Sequence, residues 1–370
     1  MNEFEDKARE LFGKDTFSFF EIEDKWNVGN ILKGYISHKA TELYGALFIT
    51  HINNLEAPQL IYGTPKMHYP FDKNGVYNFP PATSIEIYTK LDGTNILAYY
   101  YYTTREKFLT FKTRLTPTVT NGKWGNFESM LRDMIQKYPQ IPYMNQANGF
   151  NISYELVGAR NKHLIDYDFP LDIRILFGIS KDGIIIPPSK IRETYNVPKA
   201  DLETTITRNY IEHYEEEQKR LERRLIKLEE GYQGQEGQVW YLNSKDKWLQ
   251  IKAKPETIET IHFASGGINK NSILTTCINA FENYEEIDYD KIKKLLSEDF
   301  NEKQIEAQHY LVLKCIKEVK EQVKFKESVL VLYQKTGLDI NIHKKEVMGK
   351  LSKHFDKKQM NKVYSIIVNK

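Results

Sequence analysis

Cysteine is almost missing from this chain: there are two, Cys277 and Cys315, in 370 residues. That excludes a disulfide framework, and no Cys/His cluster has the spacing of a zinc site. Long apolar runs are missing as well, so no segment is expected to span a bilayer. The opening MNEFEDKARELFGK is charged and amphipathic, unlike a signal peptide. These absences point to a soluble, cytoplasmic chain of a reducing compartment with no membrane partner. Net charge is small: 52 Lys and Arg against 50 Asp and Glu leave +2. Bulk charge therefore does not mark a nucleic-acid binder, and the placement of individual charges has to be read instead. Low-complexity tracts and internal repeats are absent. What remains is an ordinary globular composition, 41% hydrophobic and 28% charged, with tyrosine plentiful at 24. The length suits one large domain and a smaller one.

The pattern changes character once. Residues 3–12 read as a short helix, and 31–81 as strands and loops punctuated by proline and glycine. SIEIYTK, ILAYYYYT and KFLTFKTR are β-branched and aromatic, with turn residues between them, and read as strands. GNFESMLRDMIQKY places Phe127, Met130, Leu131, Met134 and Ile135 at helical spacing, closed by Pro139 and Pro142. Strands return in FNISYELVG, DIRILFGIS and GIIIPP, and PPSKIRETYNV is expected to hold a short helix. Residues 208–230 read as a charged helix with opposite charges three or four apart. QVWYLNS and KWLQIKAK follow as strands. After Pro255 the apolar spacing is helical to the end and lysine-rich, which puts an expected domain boundary near 254.

Chemistry is carried by a few residues in order. Lys90 ends a strand in YTKLDGTN, where Asp92 and Gly93 make the turn and Asn95 opens the next strand. Glu155 stands in ISYELVG, Phe177 in RILFGI, Glu236 in EGQVWYL, and Lys252 and Lys254 in LQIKAK. Singly, each has a plain reading. Glu155 would pair with Arg160 or Lys162, Phe177 would be core, and Glu236 a polar turn residue. Lys252 and Lys254 would line the solvated face of an edge strand.

Taken in order, KLDG, YELVG, LFGI, EGQV and IKAK resemble the motifs of the covalent nucleotidyltransferases, the superfamily of ATP-dependent ligases and mRNA capping enzymes, across residues 84–254. The residues before Lys90 are similar to those of bacteriophage RNA ligases. The resemblance implies an α+β fold. Its core would be a nucleotidyltransferase (ATP-grasp-like ligase) of antiparallel sheets with flanking helices, residues 1–254 including an N-terminal segment 1–83. An all-helical C-terminal domain, 255–370, would follow and bind RNA, although interleaved glutamates leave a merely solvated surface as the plainer reading. Asn95 stands where DNA ligases typically carry arginine, and a helical tail replaces the OB-fold of DNA ligases and capping enzymes. Both features point to RNA. DNA nick sealing and a capping-type guanylyltransferase are the alternatives.

By the same resemblance Lys90 attacks ATP, Glu155 binds the ribose and Phe177 stacks on adenine. Thr89 would lie at the adenine edge and Asn95 near the α-phosphate or 5′ end. Lys252, Lys254 and Lys66 (in TPKMHYPF) would contact phosphates, and Glu236 would hold Mg²⁺ or Mn²⁺. Arg105 and Arg114 are the candidates for the RNA 5′-phosphate, His163 is a weaker RNA contact, and Tyr35 is placed near the nucleotide. An amine must be neutral to attack, so the lysine pKa near 10.4 has to fall; Lys252 and Lys254 are expected to lower it. Where phage ligases carry an arginine before a glycine, Tyr44 stands in ELYGALFI, so another cation has to compensate. The expected partners are RNA, tRNA or another structured RNA among them, and an end-healing kinase/phosphatase; the chain is expected to be a monomer.

Overall fold

The computed structural model describes residues 3–368 except 15, 40, 72–75, 122–125, 162, 193–195, 229–230, 246, 256, 259–269, 284–285, 298–299, 301–304 and 307; the side chains of 271, 272, 282 and 283 are also outside the description. The chain divides into two compact units, residues 1–121 with 127–260, and residues 122–126 with 261–370. It is mixed helix and sheet, with a large antiparallel sheet and C-terminal helices.

The first unit opens with helix α1 (Glu3–Phe12). Strands β1 (Phe17–Glu23), β2 (Ile31–Ser37), β3 (Leu47–Ile52) and β4 (Leu55–Ile61) then pair in sequence order as an antiparallel sheet. One face, with Leu32, Ile36, Leu47 and Ile49, packs on Leu97, Tyr99 and Tyr101. The other, with Tyr35 and Phe48, packs on Ala8 and Phe12 of α1. Alternation along each strand makes this two-sided packing possible.

The second sheet uses β5 (Ser84–Lys90), β6 (Thr94–Tyr102), β7 (Lys107–Thr113), β8 (Asn151–Val157), β9 (Asp172–Ile179), β10 (Ile185–Ile186) and β11 (Leu202–Ile206). Between β11 and the last two strands come α4 (Tyr210–Arg224) and a small hairpin of β12 (Ile226–Lys227) and β13 (Tyr232–Gln233). Strands β14 (Gly237–Ser244) and β15 (Lys247–Ala253) complete the sheet in the order β11-β5-β14-β15-β10-β9-β8-β6-β7. Helices α2 (Phe127–Lys137) and α3 (Ile141–Asn148) cover Ile96, Ala98, Ile152, Tyr154 and Ile173 through Met130, Leu131, Met134, Ile141 and Met144. Tyr214 of α4 covers Ile85, Ile87, Trp240 and Leu242.

Several elements depart from the sequence expectation. Pro139 follows the end of α2, but Pro142 does not close that helix: it sits in the first turn of α3, where the missing N–H costs nothing. The charged helix stops at Arg224 because Leu225 turns extended and leads into β12; residues 229–230 lie outside the description. Strands β1 and β11 were not anticipated. β11 is short and half exposed, an edge strand whose pattern is weak. The short helix expected in PPSKIRETYNV is a single turn, Pro188–Lys190, and residues 193–195 lie outside the description.

The second unit contains the helices Lys270–Asn283, Tyr289–Leu296, His309–Thr336, Ile340–Leu351 and Met360–Val368. The side chains of Asp288 and Asp339 cap two of them by accepting backbone N–H bonds. Gly337, at φ +65°, ends the longest helix. That helix serves two cores, one with Ile273, Cys277, Ile292, Cys315 and Val319, the other with Val329, Val347, Leu351 and Val363. Both cysteines are buried and unpaired, and burial pushes the Cys277 thiol up to about 12. Among the described residues no helix is long and apolar enough to cross a membrane.

Gly93 links this fold to the turn after β5. A Cβ there would lie 2.0 Å from the Leu156 carbonyl oxygen, so the turn can lie against β8 only without a side chain. Gly93→Ala is expected to destabilise the protein by about 1–3 kcal/mol in urea unfolding. A wild-type midpoint would mean that β8 yields freely.

Candidate active site

Strand register gathers the sequence-predicted residues. Residues directly opposite each other in antiparallel strands project to the same face. Val239 stands opposite both Tyr88 and Lys252. Ile185 stands opposite Trp248 and Ile179, Phe177 opposite Ser153, Asn95 opposite Glu155, and Leu97 opposite both Ser153 and Lys112. With the alternation along each strand, Lys90, Asn95, Glu155, Phe177 and Lys252 lie on one face of the nine-stranded sheet. Thr89 projects to the other face. There its hydroxyl donates to Glu203 (3.2 Å) and accepts from Gln235 (3.2 Å), so only its backbone can serve the face of Lys90.

The centre of that face is an ion bridge. Lys90 Nζ donates to Glu236 Oε2, and Lys254 Nζ lies 2.6 Å from Glu236 Oε1. Glu236 and Lys254 do not lie within strands: each sits one residue outside its strand, before β14 and after β15. The Glu236 side chain is only 5% exposed. Burial alone would raise its pKa, but Lys254 and Lys90 hold it well below the usual carboxylate range. Burial likewise opposes the ammonium of Lys90, yet Glu236, with Glu155 and Asp92, keeps the Lys90 pKa above the ordinary lysine value. This differs from the expectation that neighbouring lysines would depress it. Lys254 is spent on Glu236, and Lys252 Nζ lies 4.4 Å from the centroid of the Tyr69 ring.

The turn after Lys90 is held from a distant segment. The Asp92 carboxylate accepts from the backbone N–H of Leu164 (2.6 Å) and Ile165 (2.7 Å), and Asp92 N–H donates to Tyr167 Oη (2.9 Å). One carboxylate oxygen thus takes both N–H groups, the arrangement of a residue that orients a turn. Asn95 is similarly committed. Its amide donates to Ser153 Oγ (2.9 Å) and the Tyr154 carbonyl (3.1 Å), and its oxygen accepts from Thr64 (2.6 Å). Both amide protons are used, so a phosphate oxygen finds no spare donor on Asn95.

Glu155 is buried, and burial pushes its pKa up to about 7 against the pull of Lys90 and Arg114, with Glu236 and Asp92 adding to the rise. The pairing with Arg160 does not occur, because Arg160 is bound to Asp133 at 2.8 Å; Lys162 lies outside the described residues. Phe177 is 3% exposed and packs with Tyr88, Ile179, Ile185 and Tyr241.

Beside the ion bridge stand groups from the N-terminal segment. Lys66 Nζ and the Arg114 guanidinium each lie 5.7 Å from the centroid of the buried Tyr44 ring. Arg114 acts on Glu155, and its Nε is buried with no hydrogen-bond partner. Arg105 is elsewhere, on an exposed turn where its backbone N–H donates to Thr103 Oγ1 (3.3 Å). His163 sits by Thr94 (3.3 Å); burial and Glu236 raise the Asp92 pKa, and His163 opposes that rise. Tyr35 is not at the site: it faces α1 with Phe48, because its parity in β2 is opposite to that of Leu32 and Ile36. Sequence reasoning missed Thr64, Ser153, Tyr167 and Lys112. Lys112, a lysine inside the apolar run KFLTFKT, is the one that carried a readable signal.

Among the described residues no group of three or more His, Cys, Asp and Glu could hold a metal by itself. One buried carboxylate, Glu236, is bonded directly to the lysines, with the buried Glu155 on the same face. That suits a divalent ion carried in by a triphosphate, since magnesium needs only one or two carboxylates beside phosphate and water.

No family model and no curated protein matches the chain. Among solved structures it is similar to an archaeal ATP-dependent RNA ligase (13% identity, TM-score 0.49, covering 86% of this chain and 82% of that one). It is also similar to a protein of Aquifex aeolicus assigned provisionally as an ATP-dependent DNA ligase (14%, 0.43, 86% and 78%), and to an RNA ligase of Naegleria gruberi (15%, 0.36, 65% and 76%).

The raised pKa of Glu155 has a consequence for stability. Its contribution is fully present below the ordinary carboxylate pKa and is lost as pH rises through about 7, because the folded state holds the proton longer than the unfolded chain. Glu155→Gln is therefore expected to flatten the fall in unfolding free energy between about pH 4.5 and 7, measured by denaturant titration across that range. An unchanged slope would place the titration elsewhere.

Proposed function

We propose that the protein is an ATP-dependent RNA ligase, joining 5′-phosphate and 3′-hydroxyl ends through lysyl-AMP and 5′-adenylylated RNA intermediates, in RNA or tRNA repair. The observation that carries the reading is the Lys90–Glu236–Lys254 bridge, buried on the same sheet face as Glu155 and Phe177. A lysine placed so is a poor surface residue and a good latent nucleophile. Burial, the largest influence on its pKa, favours the neutral amine, and the Glu236 carboxylate is foremost among the groups that oppose this, with Glu155 and Asp92. Once Glu236 turns to another cation, its hold on the ammonium weakens and burial favours the neutral amine.

In the first step Lys90 Nζ attacks the α-phosphorus of ATP. The N–P bond forms, the bond to the β-phosphate oxygen breaks, pyrophosphate leaves and the amine proton goes to solvent. A 5′-phosphate oxygen of RNA then takes the AMP and frees Lys90. Last, a 3′-hydroxyl attacks the activated phosphate and AMP departs. Each displacement is in line, so positioning and charge neutralisation supply most of the acceleration.

Lys254, Lys252, Lys66 and Arg114 are the phosphate-facing cations. Arg114 is preferred to Arg105, because its buried, unpartnered Nε calls for an anion. Arg114 is also the cation that answers Tyr44. Glu155 takes the ribose hydroxyls. Phe177 walls the base, and because stacking needs an open ring face, that wall has to open as nucleotide enters. Glu236 would hold Mg²⁺ or Mn²⁺, which supplies charge neutralisation at the phosphates. The preference for RNA over DNA rests on the GTN pattern at Asn95 and on the helical C-terminal unit, for which we propose RNA binding.

Incubation with ATP labelled at the α-phosphate and Mg²⁺ is expected to label the denatured protein. Lys90→Ala is expected to abolish the label, and Glu236→Gln to slow its formation about a hundredfold to a thousandfold. Label from GTP in place of ATP would favour the capping reaction, and sealing of DNA nicks alone would favour a DNA ligase. No label from either nucleotide would overturn the enzyme class.

A further inference from the structure

One charged group on the active face has no part in the chemistry above. Lys112 stands in β7 opposite Leu97, on the face that carries Lys90, and is 1% exposed. Leu97, Tyr99 and Tyr101 of the neighbouring strand are packed in an apolar cluster. An ammonium in such a place costs several kcal/mol unless its protons are bound. Burial, with the Arg114 guanidinium adding to it, brings the Lys112 pKa down to about 7. The chain nevertheless keeps a lysine where leucine would pack.

Its bonds indicate why. Lys112 Nζ donates to the carbonyls of Thr113 (2.7 Å) and Arg114 (3.0 Å), the residues at and just beyond the end of β7. A second segment closely approaches the same backbone. A Cβ on Gly45, whose φ is +70°, would lie 2.0 Å from the Arg114 carbonyl oxygen and 3.5 Å from Lys112 Nζ. Gly63 in turn abuts the Tyr44 and Gly45 backbone. The Arg114 carbonyl is therefore met by both an amine and a glycine backbone, with the guanidinium by Tyr44 and Nε unpartnered.

We propose that Lys112 is a positioning residue: by tying the Thr113 and Arg114 carbonyls together beneath Gly45, it fixes the direction in which Arg114 reaches the nucleotide. Because this rests on the ligase reading, the test has two readouts, one of them independent of activity. In the full chain, Lys112→Met is expected to raise the ATP concentration for half-maximal adenylylation of Lys90 about tenfold, with the maximal rate little changed. Arg114→Met should do the same, and the double variant should be no worse than Arg114→Met alone, because the two act as one unit. Lys112→Gln, which can still donate to one carbonyl, should recover part of the loss and serves if Lys112→Met does not fold. Separately, phenylglyoxal modification of Arg114, followed by peptide mass spectrometry, should be severalfold faster in Lys112→Met and intermediate in Lys112→Gln. Wild-type modification rates in both variants, or effects that multiply in the double variant, would overturn the proposal. Absence of label in the wild type together with faster modification in Lys112→Met would reject the ligase reading and leave the positioning role standing.

Discussion

A carboxylate buried between two ammonium groups holds this site together, and it exists only because three strand ends meet. Lys90 closes β5, Glu236 precedes β14 and Lys254 follows β15, and the three strands are adjacent in the order β5-β14-β15. A shift of one residue in either pairing would turn Lys90 or Lys252 to the face of Trp240 and Tyr214. The apolar alternation of Ile85, Ile87, Trp240, Leu242 and Ile251 therefore sets the electrostatics of the opposite face. Packing on one side of the sheet determines which charges meet on the other.

The polar residues around the bridge are already committed to one another. Asp92 is tied to the backbone of residues 164 and 165, and Asn95 to Thr64, Ser153 and Tyr154. These bonds convert a short turn, flexible by composition, into a fixed support. A buried polar network of this kind is worth having only when each member is satisfied. Arg114 Nε, by contrast, is buried with no hydrogen-bond partner.

Much of this was legible in the sequence, for a physical reason: strand alternation is periodic, so the spacing of Lys252 and Lys254, or the parity of Glu155, already states a face. The strands of the large sheet and the helical character of the last third were legible on the same ground. What escaped depended on pairing between distant segments. Thr89 sits next to Lys90 in sequence and for that reason points away from it. Tyr35 is aromatic and close in number to site residues, but its parity gives it to α1. Thr64, Ser153 and Tyr167 are ordinary polar residues whose role comes only from what they face. Helix α3 hid behind two prolines read as stops, and β11 was too short and too exposed to carry a pattern.

The bridge joins residues 146 positions apart, and the support of Asp92 comes from 72 and 73 positions downstream. While the chain is being made, Lys90 emerges long before either partner. It gains its carboxylate only when β14 inserts beside β5, and its second cation only when β15 has closed the hairpin. An incomplete or nicked chain would carry an ordinary, solvated lysine at this position. The bridge is thus assembled last from the ends of its strands, so that the burial of Lys90 reports on the pairing of β5, β14 and β15.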